Sequence, residues 1–335
     1  MSVLIITRSD DNECIRMVAD QLIARGETCI RFDTDHYPLN IGVSTPSPKK
    51  DGHGFIRIGE DRIEMSEISG VWYRRYFAGG RLPDTLGDTR PACVNEARRT
   101  LYGTIAALPC FQLDPLICVR KADHKELQLD KASQFGMEIP DTLFTNDPDD
   151  ANAFIENHGG KVITKMQSSF AVYRDGDELV VFTSKVKPET MDELLRLRYS
   201  PMIFQEWLPK KLDIRSTVVG KQIFSSAIDS QTQEKTEIDW RRDGAGTLEE
   251  WVPYQLPPEI ETALLNLTEE FGLNYAAADF VVTKDDRLVF LEINAGGEWF
   301  WLARTPGLPI AEAIADTLTG KVDRVQSWPW ERTRD

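Results

Sequence analysis

The chain has 335 residues, a net charge of −15, and 41% hydrophobic against 28% charged residues, so two or three globular domains are expected. The negative charge argues against non-specific binding to nucleic acid or anionic membranes, and no apolar run approaches membrane-spanning length. The opening MSVLIITRSDD lacks a signal-peptide pattern, and the five cysteines are scattered with no CxxC pair; both point to a cytoplasmic protein with reduced thiols rather than disulfides or a zinc site.

Val3-Leu4-Ile5-Ile6 is a short unbroken apolar run, as in a parallel strand covered on both faces. Ile15, Val18, Ala19, Leu22 and Ile23 then recur at helical spacing before Gly26, and residues 29–32 read as the next strand. This βαβ opening predicts an open α/β domain, and without a GxGxxG nothing points to a dinucleotide. A strand over residues 70–75 ends in Arg74 and Arg75, a pair that either faces water or contacts an anion or carboxylate. Residues 123–135 are helical in pattern, followed by a helix stop at Gly136 and an extended segment restricted by Pro140. Residues 161–165 form a strand ending in Lys165, residues 167–170 a small polar loop, and residues 179–182 another strand. Pro188 opens a helix to Arg198 whose early acids and late arginines suit its dipole. A strand over 202–207, a hairpin about Gly220-Lys221 and a helix from Pro258 follow, giving an α+β unit behind the α/β unit.

The most informative segment is the hairpin of residues 276–294. With Asp285-Asp286 as a two-residue turn, Asp279 faces Glu292 across the strands, and Asn294 shares the face of Glu292. Two carboxylates opposed in an apolar hairpin repel unless something neutralises them. Either they face water on an edge hairpin, or they hold a hard divalent cation; Mg²⁺ completed by nucleotide phosphates suits oxygen donors. A turn shifted by one residue would carry Asp279 to the other face.

The order of these pieces resembles one superfamily. Lys125 on a helix, the Gly136-Met137-Glu138-Ile139-Pro140-Asp141-Thr142 segment, Lys165 before a small-residue loop, Gln205-Glu206-Trp207, Asp213-x-Arg215 and the Asp279…Glu292-x-Asn294 hairpin follow one another as in ATP-grasp enzymes. Val71 to Arg75, Thr164 to Phe170, Asp239-Trp240-Arg241-Arg242 and Glu292-Ile293-Asn294 are similar to the microviridin-type ATP-grasp peptide ligases, the macrocyclases of graspetides. That resemblance spans nearly the whole chain. It implies an N-terminal α/β pre-ATP-grasp domain (residues 1–118), a central ATP-grasp domain with lid and leader-binding elements (119–202) and a C-terminal ATP-grasp domain with the metal hairpin (203–335). The nucleotide would lie between two sheet-containing domains.

The resemblance implies ATP and Mg²⁺ as cofactors, a ribosomal precursor peptide with leader and core as partner, and a homodimer. Lys125 and Lys165 would approach the phosphates, although Lys125 could equally be a solvated helix lysine. Ser168 and Ser169 would line the loop over the phosphates. Gln205, Glu206 and the backbone at Trp207 and Leu208 would meet adenine, while Trp207 could also simply pack in the core. Asp213 would meet the ribose, orient neighbours or cap a turn. Arg215 is the main catalytic candidate, since a guanidinium can bind an acyl phosphate bidentately; Arg242 would lie near the phosphates, and Arg74, Arg75 and Arg241 near the core peptide. Asp279, Glu292 and Asn294 would hold Mg²⁺. The leader would dock on residues 173–182 and the 188–198 helix, using Met191, Asp192, Glu193 and Leu195. Two rivals stand beside this reading: an ATP-grasp ligase for free amino acids or small carboxylates, and a non-catalytic ATP-binding scaffold.

Overall fold

The computed structural model describes residues 2–46, 54–167, 171–174, 177–180, 183–186, 188–230 and 248–325. The chain opens with β1 (Ser2–Thr7), α1 (Cys14–Ala24) and β2 (Thr28–Asp33). A small antiparallel sheet of β3 (Ile41–Ser44), β4 (Phe55–Ile58) and β5 (Asp61–Glu64) follows, then β6 (Ile68–Tyr73), α2 (Arg90–Ala106) and β7 (Phe111–Gln112). The parallel sheet has the order β2-β1-β6-β7. Its central strand explains the apolar run: Val3 and Ile5 enter one core with α1 and the last helix, while Leu4 and Ile6 enter another with α2. Alternation along a strand divides four consecutive apolar residues between two covered faces.

Two helices, α3 (Leu116–Ala122) and α4 (Lys125–Gln134), lead into the central unit. It contains β8 (Thr142–Thr145), α5 (Pro148–Asn157), β9 (Val162–Lys165), the hairpin β10 (Ala171–Arg174) and β11 (Asp177–Val180), β12 (Ser184–Lys185) and β13 (Met202–Glu206). Apart from the hairpin, its strands form an antiparallel sheet of order β12-β9-β13-β8. The Asp147 side chain accepts the Asp149 N–H at 2.8 Å and caps α5, with Pro148 at its first position. The Pro188–Arg198 segment winds as a 3₁₀ helix. Leu194 and Leu197, three residues apart, both reach the small core under α5, as three-per-turn winding allows.

The third unit comprises β14 (Lys210–Val219), β15 (Gln222–Ile228), β16 (Val252–Pro253), α6 (Pro258–Phe271), β17 (Tyr275–Thr283) and β18 (Leu288–Asn294), then α7 (Phe300–Arg304) and α8 (Ile310–Thr319). Its antiparallel sheet runs β16-β15-β14-β17-β18. One face carries Ile214, Val218, Ala276, Ala278, Phe280, Phe290 and Ile293 into a core with α6 and α4. On the other face Val219, Ile228 and Tyr275 pack with Trp251, Trp299, Trp301 and α8. Helix α8 returns to α1, where Arg25 Nε lies 2.8 Å from Asp316 Oδ1. The last helix therefore closes the core of the first domain.

Candidate active site

Asp279 and Glu292 face each other, as expected, but by a different route. The turn holds three residues rather than two: the Thr283 N–H donates to the Arg287 carbonyl (2.9 Å), the Asp286 N–H to the Thr283 carbonyl (3.1 Å), and Asp286 is left-handed at φ 68°. That shift alone would pair Asp279 with Leu291. Instead the register slips between Asp279 and Phe280, with Phe280 opposite Phe290 and Asp279 opposite Glu292. Leu291 is the extra residue of a β-bulge, which turns Glu292 away from the apolar face of Phe290 and toward Asp279. The expectation of a two-residue turn was wrong because Asp286, not a glycine, takes the left-handed position of a three-residue loop, and the bulge that restores the pairing cannot be read from hydrophobic alternation.

Two cations meet the two carboxylates. Arg215 pairs with Asp279 across β14 and β17, its Nε 2.9 Å from Asp279 Oδ1, and the Lys125 ammonium contacts the Glu292 carboxylate. Asp279 and Glu292 are 21% and 20% exposed, so this row is shielded yet open on one side. Lys125 is thus not a solvated helix lysine: α4 carries it to the sheet. Asp213 lies on the same face, paired with buried Lys210 at 2.7 Å and accepting from Ser230. Asn294 stands opposite Ala277, one step beyond Glu292 on the shared face.

Lys165 and the Gln205-Glu206-Trp207 run lie toward opposite ends of the antiparallel β9–β13 pair. Lys165 lies beside Ile203, and the loop leaving it is tied to α4 by Gln167 Nε2 donating to Glu126 Oε1 at 3.0 Å. The loop and Lys125 therefore approach the same helix start. Gln205 is buried and donates to Thr142 Oγ1 (2.9 Å), while Glu206 Oε1 accepts from the Asp141 N–H (2.9 Å). The Trp207 backbone N–H donates to the Lys161 carbonyl, and the Lys185 ammonium sits 4.0 Å from the Trp207 ring centroid. Trp207 and Leu208 are both partly exposed rather than fully in the core. Lys185 was not anticipated, because only pairing of β12 with β9 brings it to Trp207.

Arg74 and Arg75 follow β6 and meet the loop after β1 and the segment after β18. Arg74 is buried against Asp11 and Glu298, which excludes the solvated alternative for it; Arg75 is 39% exposed and contacts the same two acids. Burial pushes the Asp11 carboxyl up, but Arg74, Thr7 and Arg75 together hold it below the usual carboxylate range. Asp11, Glu298 and Asn12, whose amide donates to the Glu298 carboxylate, were missed by sequence reasoning. A usable signal existed: loops at the carboxyl ends of adjacent parallel strands are where α/β sheets place polar contacts. On the 3₁₀ helix, Glu193 and Leu195 are exposed. Ser168, Ser169, Arg241, Arg242 and the side chains of Met191 and Asp192 lie outside the described residues.

A parallel α/β domain followed by two antiparallel sheets, the second carrying a cation–carboxylate row, has known counterparts. Residues 2–120 match the MvdD pre-ATP grasp domain and residues 122–318 the RimK-like ATP-grasp domain. The chain is an ATP-grasp ligase. The structure of macrocyclase MdnC bound with precursor peptide MdnA, from Microcystis aeruginosa MRC, is 44% identical with a TM-score of 0.88, covering 96% of this chain and 100% of that one. A RiPP-associated ATP-grasp ligase of Chryseobacterium gregarium, in complex with ADP and a leader and core peptide, is 37% identical with a TM-score of 0.90, covering 98% and 99%. The curated "Probable alpha-L-glutamate ligase 2" of Shewanella denitrificans (strain OS217 / ATCC BAA-1090 / DSM 15013) is 22% identical over 96% of each chain.

In this ATP-grasp ligase the donor set fits Mg²⁺. Asp279, Glu292 and Asn294 offer oxygen only, as a small hard cation prefers. Among the described residues no group of three or more His, Cys, Asp or Glu could hold a metal. A cation at this ligase's hairpin would thus need further oxygens from its ligand, and nucleotide phosphates supply them. No described helix is long and apolar enough to cross a membrane.

Proposed function

We propose that the protein closes macrocycles in a ribosomal precursor peptide by activating Asp or Glu side chains with ATP. The observation that carries the substrate class is the 44% identity to a precursor-binding macrocyclase over the full length of that chain. In the proposed reaction a core carboxylate attacks the γ-phosphate, giving an acyl phosphate and ADP. A Thr or Ser hydroxyl, or a Lys amine, then attacks the acyl carbon and phosphate leaves; the ester is favoured. Bound at Asp279, Glu292 and Asn294, Mg²⁺ would offset charge on the phosphates. Lys125, Lys165 and Arg215 are assigned to the same charge, with Arg242 beside them. Ser168 and Ser169 would cover the phosphates, Gln205 to Leu208 would take adenine, and Asp213 would orient Lys210. Holding both reacting side chains in one peptide lowers the entropic barrier to closure.

The division at residues 118 and 202, leader docking at Met191, Asp192, Glu193 and Leu195, and core contacts by Arg75 and Arg241 belong to this proposal, as do a homodimer and a cytoplasmic setting. Mass spectrometry of the encoded precursor after incubation with enzyme, ATP and Mg²⁺ tests it: one water is lost per ring. The likeness to a glutamate ligase over nearly the whole chain favours the rival, ligation of free amino acids. An unchanged peptide mass with amino-acid-dependent ADP release would establish that rival instead.

A further inference from the structure

The side chain of Arg74 is 1% exposed, and four oxygen-bearing groups surround it. Two are the carboxylates of Asp11, 3.5 Å from its Nε, and Glu298. The others are the backbone carbonyls of Gly296 and Gly297, which its Nη1 meets at 3.2 and 3.4 Å. These two glycines form the turn that runs on from Asn294. Within it, Asn294 Oδ1 accepts the Gly296 N–H at 2.8 Å, and the Asn294 carbonyl accepts the Gly297 N–H at 3.2 Å. The Tyr275 hydroxyl adds a hydrogen bond to the Gly297 carbonyl at 2.7 Å.

On its other side the turn meets Arg215, whose Nη1 lies 3.5 Å from the Glu298 carbonyl. A Cβ on Gly297 would come within 2.4 Å of Ala277 Cβ and 3.1 Å of Arg215 Nη1. The turn is therefore pinned between a guanidinium of the first domain and one of the third. A planar fork that grips two successive carbonyls and a carboxylate fixes orientation in a way a point charge does not.

We infer that Arg74 is a positioning residue for the nucleotide–metal site. By holding Gly296 and Gly297 it sets the rotamer of the Asn294 amide, and by placing Glu298 it sets the distance of the turn from Arg215. This rests on the metal role proposed above for Asn294. It moves Arg74 from direct contact with the core peptide to a place behind the site, and leaves Arg75 for such contact. Orienting groups of this kind change metal affinity by about tenfold or more.

The test is Mn²⁺ binding, read by electron paramagnetic resonance, to the full chain with ADP. Arg74→Lys keeps a charge between Asp11 and Glu298 but loses the fork. Gly297→Ala displaces the same turn from the opposite side, so it answers the question should Arg74→Lys fail to fold. The expected result is Mn²⁺ binding weakened about tenfold or more in both variants, with affinity for the leader peptide unchanged. Wild-type Mn²⁺ affinity in the folded variants overturns the inference and leaves the metal reading standing. Unaltered Mn²⁺ binding in Asn294→Ala removes the metal reading, and the inference with it.

Discussion

Arg215 shows how much of the chemistry depends on single contacts. Its guanidinium faces Asp279 at 2.9 Å and lies with its centre 5.6 Å from the Trp301 ring. Lysine at this position keeps the charge but loses the planar fork that can hold two phosphate oxygens together. Arg215→Lys is expected to lower kcat by about 10²–10³-fold, with a smaller change in KM for ATP, measured as ADP release alongside loss of water from the peptide. Equal losses in ADP release and ring closure would place Arg215 at the first step; retained ADP release without closure would place it at the second. The candidacy of Arg215 was legible because Asp213-x-Arg215 lies in an alternating strand. The partner of Lys125 was not legible, since Glu292 is distant in sequence and meets it only when α4 packs on the sheet.

Between the turn and the active face, the β17–β18 hairpin makes two compensating departures from regular pairing. Asp286 takes the left-handed conformation a three-residue loop needs, and the Leu291 bulge then restores the pairing of Asp279 with Glu292. A β-branched side chain is strained at such a φ. Asp286→Val is expected to lower stability by about 1–2 kcal/mol, whereas Asp286→Gly removes the steric penalty and leaves stability within about 1 kcal/mol of wild type. The exposed contact of Asp286 with Lys211 changes this little, because surface pairs contribute about 0–1 kcal/mol. Denaturant titration with ADP-release assays at saturating ATP checks both, with turnover unaffected in each folded variant. Hydrophobic spacing found the two strands and the shared face of Glu292 and Asn294. It could not find the bulge, because an unpaired residue leaves no mark on an apolar pattern when its neighbours are also apolar.

Across the whole molecule, one buried carboxylate ties the first domain to the third. Asp114, after β7, accepts the N–H groups of Asn274 (2.8 Å) and Tyr275 (3.1 Å), and Asn274 in turn holds Leu113 and Val325. Burial pushes its carboxyl up to about 7 against the two N–H bonds. A carboxyl whose folded value is raised contributes stability that is fully present below its unfolded value of 3.8 and is lost as pH rises through about 7. Wild-type melting temperature is therefore expected to fall between about pH 4 and 7 by a component that Asp114→Asn, still able to accept both N–H groups, removes. A slope unchanged in that variant would show that Asp114 is not its source. The sequence by itself determined the α/β start, the strand–helix order of the ATP-grasp units and the residue types of the site, because these follow from local periodicity and ordered motifs. Only the tertiary structure decided that α8 closes the first domain, that Lys125 reaches Glu292, and that Asp11, Arg74 and Glu298 meet behind Asn294. Except for Asp11 with Arg74, those contacts join residues more than a hundred positions apart, and nothing in local spacing encodes which distant charge a buried charge will find.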